Sequence, residues 1–230
     1  KAEMSGRLIV FEGTDGSGKA TQSRLLCEHL QRESIPYKNI TFPRYGKPSA
    51  AMVQEYLDGH LGSHPGDVNA YAASLFYAMD RYASYKQDWG PFYEAGGLVI
   101  ADRYTTSNAV HQASKLSAEE RDTFFRWLYE FEFGKLGLPK PDLVLYLDMP
   151  TGASVSLLRH REAATHTQAD IHERDNAYLA ACRETASHAA DVLGWQRIPC
   201  TENGQVRTVE TIHQDVWNAV KRCLTETKPV

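Results

Sequence analysis

Short apolar runs alternate with longer amphipathic segments along the chain, and this alternation predicts the fold. The apolar runs predict five strands, at residues 7–12, 37–42, 97–101, 142–149 and 195–199. Their continuous hydrophobicity is typical of strands that are buried on both faces of a parallel sheet. Helical periodicity and helix-start signals predict helices at residues 21–32, 48–57, 68–89, 117–133, 151–158, 173–192 and 206–224. The chain is therefore predicted to form an α/β fold of three layers, with a five-stranded parallel sheet between helices.

The longest predicted helix has two distinct faces, whereas a polar segment later in the chain has none. In the helix, Phe76 and Met79 lie at core spacing, while Tyr77 and Arg81 share another face. Residues 159–171 are polar, lack apolar periodicity and lie between two helices, which predicts a short mobile lid. Because 230 residues suit one large α/β domain, we expect residues 1–230 to form a single domain that includes this lid.

The composition is that of an ordinary globular protein and argues against several function classes. The formal net charge is −4, whereas proteins that bind nucleic acids or membrane surfaces without specificity are usually basic. No apolar stretch resembles a membrane span or a signal peptide, so we expect a soluble cytoplasmic protein. No HExxH or GxSxG motif supports a zinc site or a hydrolase triad. The cysteines lack CxxC spacing, which favours reduced thiols: Cys27, Cys182, Cys200 and Cys223.

A glycine-rich segment, Gly13–Lys19, follows the first predicted strand and opens a helix. Glycine, four residues and Gly-Lys form the phosphate-binding pattern of nucleoside triphosphate enzymes, although a glycine-rich turn before a lysine is the alternative. The glycines let backbone N–H groups turn onto anionic oxygens, and the helix N-terminus adds partial positive charge. Asp15 inside the loop is unusual, and Ala20 replaces the hydroxyl residue that normally contacts the metal. The predicted ATP site is Gly13, Thr14, Asp15, Gly16, Ser17, Gly18, Lys19, Ala20 and Thr21.

Three arginines are candidate phosphate ligands. Arg44 and Arg103 follow the second and third strands, where parallel α/β sheets bind ligands, and Arg81 lies on the longest helix. A guanidinium binds phosphate through two parallel hydrogen bonds, although a single arginine is more often a solvated surface residue. Arg159 and Arg161 on the lid would reach the phosphates on closure, unless the lid is simply an exposed charged loop. Other side chains could stack on a base or bind its edge, with packing, capping or surface exposure as the alternative: Phe42, Tyr45, Tyr77, Tyr104, Ser107, Asn108 and Gln112.

Together these residues resemble the thymidylate (dTMP) kinase family. The resemblance rests on segments in the family's order: residues 12–19, Phe42-Pro43-Arg44-Tyr45-Gly46, Asp102-Arg103-Tyr104 with Ser107-Asn108, residues 138–142 and the lid run 170–175. The pairing of Phe-Pro-Arg with Asp-Arg-Tyr is far more specific than the phosphate loop. The Tyr-Gly after Phe-Pro-Arg is most similar to a bacterial branch that includes the mycobacterial enzymes. The resemblance implies a P-loop NTPase fold, transfer of the γ-phosphate of ATP to dTMP to give dTDP, a requirement for Mg²⁺, and a homodimer.

The resemblance also implies roles for individual residues. Asp15 would contact the acceptor and hold the metal, with Glu173 as a further metal ligand. Family members without an arginine in the loop supply one from the lid, and Ser17 occupies that loop position here. The implied catalytic residues are Asp15, Lys19, Arg44, Arg103, Arg159 and Arg161. The implied dTMP site is Asp15, Phe42, Tyr45, Tyr77, Arg81, Arg103, Ser107, Asn108, His111, Gln112, Asp170 and His172.

Two histidines depart from the family's pattern and leave the strictness for thymine and for deoxyribose open. His111 replaces an aromatic residue near the base, and His172 stands where this branch often has tyrosine beside the sugar. Two other functions remain open at this stage. One is a different P-loop nucleotide or deoxynucleoside kinase, and the other is a nucleotide-dependent switch ATPase without a small acceptor. The arginines after the strands argue against the switch, because it would need no acceptor site.

Overall fold

Strands and helices alternate along the part of the chain that the structure describes. The structure is a computed structural model, and it describes residues 6–165 and 176–226, apart from the side chains of 158, 161–165 and 176. The strands are β1 (Arg7–Glu12), β2 (Tyr37–Thr41), β3 (Leu98–Asp102), β4 (Leu143–Asp148), β5 (Gln196–Pro199), β6 (Thr201–Glu202) and β7 (Gln205–Val206). The α-helices are α1 (Lys19–Arg32), α2 (Ala51–Leu57), α3 (Ala70–Ser84), α4 (Gly90–Glu94), α5 (Thr105–His111), α6 (Ala118–Tyr129), α7 (Thr151–Thr165), α8 (Asn176–Leu193) and α9 (Val209–Thr225). Within these described ranges, no helix is long and apolar enough to cross a membrane.

The first five strands form one parallel sheet, which confirms the predicted fold class. The strand order is β2-β3-β1-β4-β5, and every neighbouring pair is parallel. The short strands β6 and β7 pair antiparallel as a separate hairpin. Because β1 lies at the centre between β3 and β4, the loop that follows β1 emerges beside the ends of both neighbours. This order gathers the predicted ligand-binding segments at one edge of the sheet.

Alternate residues of the central strand fill two separate hydrophobic layers. Leu8 and Val10 face the layer that is covered by α5, α6 and α8, whereas Ile9 and Phe11 face the layer covered by α1 and α9. Side chains along a strand point to opposite faces in turn, so one apolar run serves both layers. All four side chains have no exposed surface. The strand is continuously hydrophobic because both of its faces are buried, as the sequence predicted.

The predicted inward face of α3 is wrong. Met79 is 45% exposed and Phe76 is only half-buried, whereas Asp80 and Arg81 are buried. The polar side chains turn inward because each has an ionic partner there, Asp80 with Arg44 and Arg81 with a glutamate of another helix. Paired charges can be buried where isolated ones cannot, so hydrophobic spacing alone misassigned this helix.

Several predicted boundaries change. The helix predicted over 68–89 becomes α3 followed by a π-helical turn, Tyr85–Trp89, and α6 likewise continues as the π-helical turn Glu130–Lys135. The short helix α5 was not predicted, because its sequence lacks apolar periodicity. The backbone of α7 continues to residue 165, so the first half of the predicted lid is helical rather than a loop. Residues 166–171, the rest of that lid, lie outside the described residues.

The packing of α1 on α9 makes stability depend on pH. His29 and His213 lie with Nδ1 and Nε2 3.4 Å apart, and His29 stacks on Trp217 with ring centroids 3.9 Å apart. Burial, with nearby positive charge, lowers the pKa of both histidines below the ordinary value near 6.5. The histidines of the unfolded chain therefore bind protons at a higher pH than those of the folded chain. The free energy of unfolding that the neutral histidine pair contributes is complete above pH 6.5 and is lost as the pH falls below that value.

We expect the melting temperature to fall by a few degrees more between pH 7.5 and pH 5.5 in the wild type than in His29→Gln. The control is His60→Gln, because His60 is exposed and pairs with Glu55 on the surface. That variant should keep the acid sensitivity of the wild type. Equal acid sensitivity in wild type and His29→Gln would contradict this account of the helix pair.

Candidate active site

The carboxyl ends of β1, β2 and β3 bring together the phosphate loop and two of the predicted arginines. The loop Gly13–Gly18 follows β1, Arg44 follows β2 and Arg103 follows β3. Backbone N–H of Arg103 donates to the carbonyl of Phe11 on the central strand at 3.1 Å, so the second arginine is fixed directly to β1. The predicted phosphate loop, Arg44 and Arg103 therefore lie at one edge of the sheet.

The phosphate loop depends on three glycines with unusual backbone geometry. Gly16 and Gly18 have φ angles of 78° and 94°, which side chains with a Cβ rarely adopt. A Cβ on Gly13 would lie 2.4 Å from the Oγ of Ser17. The loop leads directly into α1, whose first N–H groups and dipole favour an anion at this end. Ala20 is exposed at the position of the missing hydroxyl, so the backbone supplies most of the polar groups here.

Lys19 lies at the first position of α1 and covers the loop. Its Nζ donates to the carbonyl oxygens of Gly13 at 2.8 Å and Thr14 at 3.1 Å. Burial, together with the nearby Arg103, lowers the pKa of Lys19. A phosphate oxygen would be a stronger acceptor than these neutral carbonyls, because it carries charge. The ammonium of Lys19 therefore lies beside the expected phosphate position and could exchange its carbonyl partners for phosphate oxygens.

An ion pair joins the phosphate loop to the segment after β3. The guanidinium of Arg103 donates through NH2 to Asp15 and through NH1 to Nε2 of His111 at 3.1 Å. Burial acts to lower the pKa of Arg103, but the carboxylates of Asp15 and Glu12 raise it above its ordinary value. Arg103 also has φ of 67°, a strained conformation for a non-glycine residue. His111, which was predicted to lie near the base, is buried and contacts Arg103.

A second carboxylate, Glu12 at the end of β1, is fully buried and ties the loop to α5. Its Oε1 accepts the backbone N–H of Gly13 at 2.9 Å. Its Oε2 accepts the hydroxyl groups of Thr106 at 2.7 Å and Ser107 at 2.8 Å. Sequence reasoning gave Glu12 no role of its own. An acidic residue that closes a buried apolar strand is the signal that could have found it, because a fully buried carboxylate requires partners.

The remaining arginines are held by buried acids. Arg44 donates through Nε to Asp80 at 3.0 Å and through NH2 to Ser49 at 2.8 Å. Arg81 is 1% exposed, and its Nε donates to Glu132 at 2.8 Å while its NH2 donates to the other oxygen of the same carboxylate. Sequence reasoning missed Glu132 completely. Its position between two phenylalanines is the one signal that the sequence offers, since an acid inside an aromatic run needs a partner.

The predicted aromatic and amide residues lie at different depths. Phe42 is buried against Tyr104, Tyr77 is half-buried with its edge towards Tyr56, and Tyr45 is exposed. Asn108 is buried in the middle of α5. Gln112 has no exposed surface, and both atoms of its amide lack a hydrogen-bond partner among the described residues. Tyr77 lies on α3, the helix that also carries Arg81, and Phe42 follows β2 two positions before Arg44.

The lid residues are described only in part. Arg159 is exposed on α7, and Arg161 lies on the same helix without a described side chain. Asp170, His172 and Glu173 lie outside the described residues. These predictions therefore stay predictions.

The carboxylates near the loop fit a hard divalent cation. Asp15 and Asp102 both interact electrostatically with Lys19 and Arg103, and Oδ1 of Asp102 is buried without a hydrogen-bond partner among the described residues. Mg²⁺ prefers such oxygen ligands and retains several waters. Across residues 6–165 and 176–226, no cluster of three potential metal ligands is present. A cation here would therefore depend on phosphate oxygens and water as well as on protein.

Comparisons with known proteins agree on one family. The family model described as thymidylate kinase matches residues 11–212. The thymidylate kinase of Mycobacterium tuberculosis is 33% identical over 170 residues, which cover 73% of this chain and 78% of that protein. The thymidylate kinase of Plasmodium falciparum is 26% identical over 224 residues, 97% of this chain and 94% of that protein. A solved thymidylate kinase from Candida albicans has a TM-score of 0.67 at 20% identity, covering 95% of this chain and 92% of that one, which supports the fold.

Proposed function

The chain belongs to the thymidylate kinase family, and on this premise we propose that the edge of the sheet described above transfers the γ-phosphate of ATP to dTMP, giving dTDP. One observation carries the proposal for this site. Asp15 of the phosphate loop and Arg103 of the segment after β3 form an ion pair, so the donor loop and the acceptor segment meet at one point. Phosphoryl transfer requires this arrangement, because the attacking and leaving oxygens must lie in line on either side of the transferred phosphorus.

On the donor side, Lys19 and the loop amides would hold ATP. The N–H groups of Gly13–Gly18 and the start of α1 would bind the phosphates, and Nζ of Lys19 would exchange its two carbonyl partners for phosphate oxygens. Its charge would then neutralise the negative charge that develops as the γ-phosphate leaves ADP. The rest of the proposed ATP site is Thr14, Asp15, Ser17, Ala20 and Thr21.

On the acceptor side, Arg103 and Arg44 would bind the dTMP phosphate, whose oxygen attacks the γ-phosphorus. Holding that oxygen in place supplies much of the rate, since the chemistry needs little covalent help from the protein. Thymine would lie against Phe42 and Tyr77, with Arg81 and Asn108 at its edge. The proposed site also includes Tyr45, Ser107, His111, Gln112, Asp170 and His172. Arg159 and Arg161 would act from the lid on the transferring phosphate.

Mg²⁺ would be held by Asp15, Asp102 and Glu173 together with phosphate oxygens. When bound, it would neutralise phosphate charge and fix the β- and γ-phosphates relative to each other. The orphaned Oδ1 of Asp102 supports this set, which extends the sequence-based prediction by one residue. A cytoplasmic location is supported by the cysteines, which are all free and buried, as in proteins of reducing compartments.

An apolar patch on α2 and α3 supports the homodimer. Leu75, Met79 and Tyr82 follow one another on one exposed face of α3, and Met52 is exposed on the adjoining α2. Exposed apolar residues that cluster on one face mark a contact surface. We expect the wild type to sediment as a dimer at micromolar concentration and Met79→Arg to sediment as a monomer. Val192→Arg, which changes an exposed residue on α8, should leave the dimer intact. A monomeric wild type would refute the patch as an interface.

An acceptor panel tests the proposed reaction. ADP formation from ATP is measured with dTMP, dUMP, UMP and thymidine as acceptors in parallel. We expect dTMP to give the highest kcat/KM. Preference for thymidine or UMP would instead indicate a different nucleoside or nucleotide kinase on the same fold.

A further inference from the structure

Glu132 lies in the one π-helical turn that extends α6, and its carboxylate is fully buried. The π-helical geometry of Glu130–Lys135 widens the helix by one residue and directs this side chain inward, whereas Glu130 in the same turn is exposed. Four donors from three side chains converge on Glu132: Nε and NH2 of Arg81, the hydroxyl of Thr105 at 2.6 Å and the amide of Asn108 at 3.4 Å. A buried carboxylate with this many partners is fixed in one orientation.

The carboxylate determines which edge Arg81 presents. Because Nε and NH2 are both occupied by Glu132, the guanidinium cannot rotate, and NH1 is the nitrogen directed away from the pair. NH1 makes one long contact, 3.4 Å to the carbonyl of Tyr104, so it retains donor capacity. The charge of Arg81 is balanced by Glu132. Arg81 therefore offers a hydrogen-bond donor in a fixed position, and its charge is not available to bind a phosphate group.

The same carboxylate fixes the polarity of the Asn108 amide. Nδ2 of Asn108 donates to the carbonyl of Ser74 at 3.2 Å and to Glu132 at 3.4 Å. Both neighbours can only accept, so the nitrogen faces them and the oxygen faces the other way. Among the described residues, no hydrogen bond to Oδ1 of Asn108 is seen, so this oxygen retains its capacity to accept one. Arg81 and Asn108 are thus held by one carboxylate, and the first retains a donor while the second retains an acceptor.

We propose that Glu132 is a positioning residue that sets the hydrogen-bond polarity of the acceptor-base site, so that the site selects pyrimidines with a carbonyl beside a ring N–H and rejects aminopyrimidines. The inference rests on the proposed function, in which Arg81 and Asn108 contact the base. Thymine and uracil offer an oxygen acceptor next to the N3–H donor, which matches the pair. Cytosine offers an amino donor next to an N3 acceptor, which opposes both groups. A mismatched base would leave buried polar groups unpaired, and this penalty is the source of the selection.

Glu132→Gln tests the proposal, because it replaces one accepting oxygen by a donating NH₂ of the same size. The new donor would face Arg81 and either Asn108 or Thr105, which frees the Asn108 amide to turn over. The ratio of kcat/KM for dTMP to that for dCMP is measured in the wild type and the variant. We expect this ratio to fall about tenfold to a hundredfold in Glu132→Gln. KM for dTMP should rise while KM for ATP stays within about twofold of the wild-type value, a split that a general loss of stability would not produce.

Glu130→Gln is the matched control, because Glu130 lies in the same turn but is exposed and pairs with the exposed Lys135 at 3.5 Å. It should keep the wild-type ratio. If Glu132→Gln loses its cooperative melting transition, Glu132→Asp replaces it, since this variant keeps the charge for Arg81 but shortens the reach to α5. Its ratio should fall several-fold. An unchanged ratio in the folded variant overturns the role of Glu132, whereas failure of the wild type to phosphorylate dTMP at all overturns the proposed function instead.

Discussion

Lys19→Ala is expected to lower the turnover number about 100- to 1,000-fold, the effect of removing one preorganised charge from a transition state. Lys19 is the one lysine that the structure places over the phosphate loop among the described residues, where it is buried and bonded to loop carbonyls. The variant should still fold, because the loss of two hydrogen bonds is offset by relief of burying the ammonium. Steady-state kinetics with saturating ATP and dTMP give the turnover number.

Lys86→Ala is the control for this result, because Lys86 is exposed and far along the chain from the loop. It should retain wild-type turnover. An unchanged turnover number in Lys19→Ala would remove the basis for assigning the phosphate loop to catalysis.

Arg103→Ala is expected to raise KM for dTMP roughly 100-fold or more and to change KM for ATP far less. The guanidinium is fixed by Asp15 on one side and His111 on the other, so it is preorganised for an anion next to the loop. Its loss removes a bidentate donor and also leaves the negative charge of Asp15 uncompensated beside the acceptor phosphate. Initial rates over a grid of ATP and dTMP concentrations separate the two KM values.

Two variants sharpen the interpretation of Arg103→Ala. Arg103→Lys keeps the charge without the planar fork, so it should recover only part of the affinity for dTMP. Arg121→Ala removes an arginine of α6 that pairs with the exposed Glu184 of α8, and it should leave both KM values unchanged. Equal increases in both KM values for Arg103→Ala would contradict its assignment to the acceptor.

The strands and the phosphate loop could be predicted because their signals are local. Gly13–Lys19 needs only its own glycines and the strand before it, and each parallel strand is recognisable as a short apolar run. The confirmed sheet follows from those runs and from the helices between them. The boundaries near π-helical turns could not be predicted, because a π-helical turn keeps the composition of the α-helix that it interrupts.

The partners of the buried acids could not be predicted, because they are distant in sequence. Glu12 bonds to residues 94 and 95 positions away, and Glu132 bonds to Arg81 across 51 positions. The wrong assignment of Met79 to the core has the same origin. Asp80 and Arg81 take the inward face only because other elements supply their partners, so the hydrophobic pattern of α3 alone favours the opposite side.

The fate of the γ-phosphate tests the central claim most directly. ATP labelled at the γ-position is incubated with the enzyme, with and without dTMP, and the products are separated. We expect the label to appear in dTDP when dTMP is present, with little release as inorganic phosphate in its absence. Label that appears mainly as inorganic phosphate, at a rate that dTMP does not change, would contradict phosphoryl transfer and indicate a nucleotide-dependent switch.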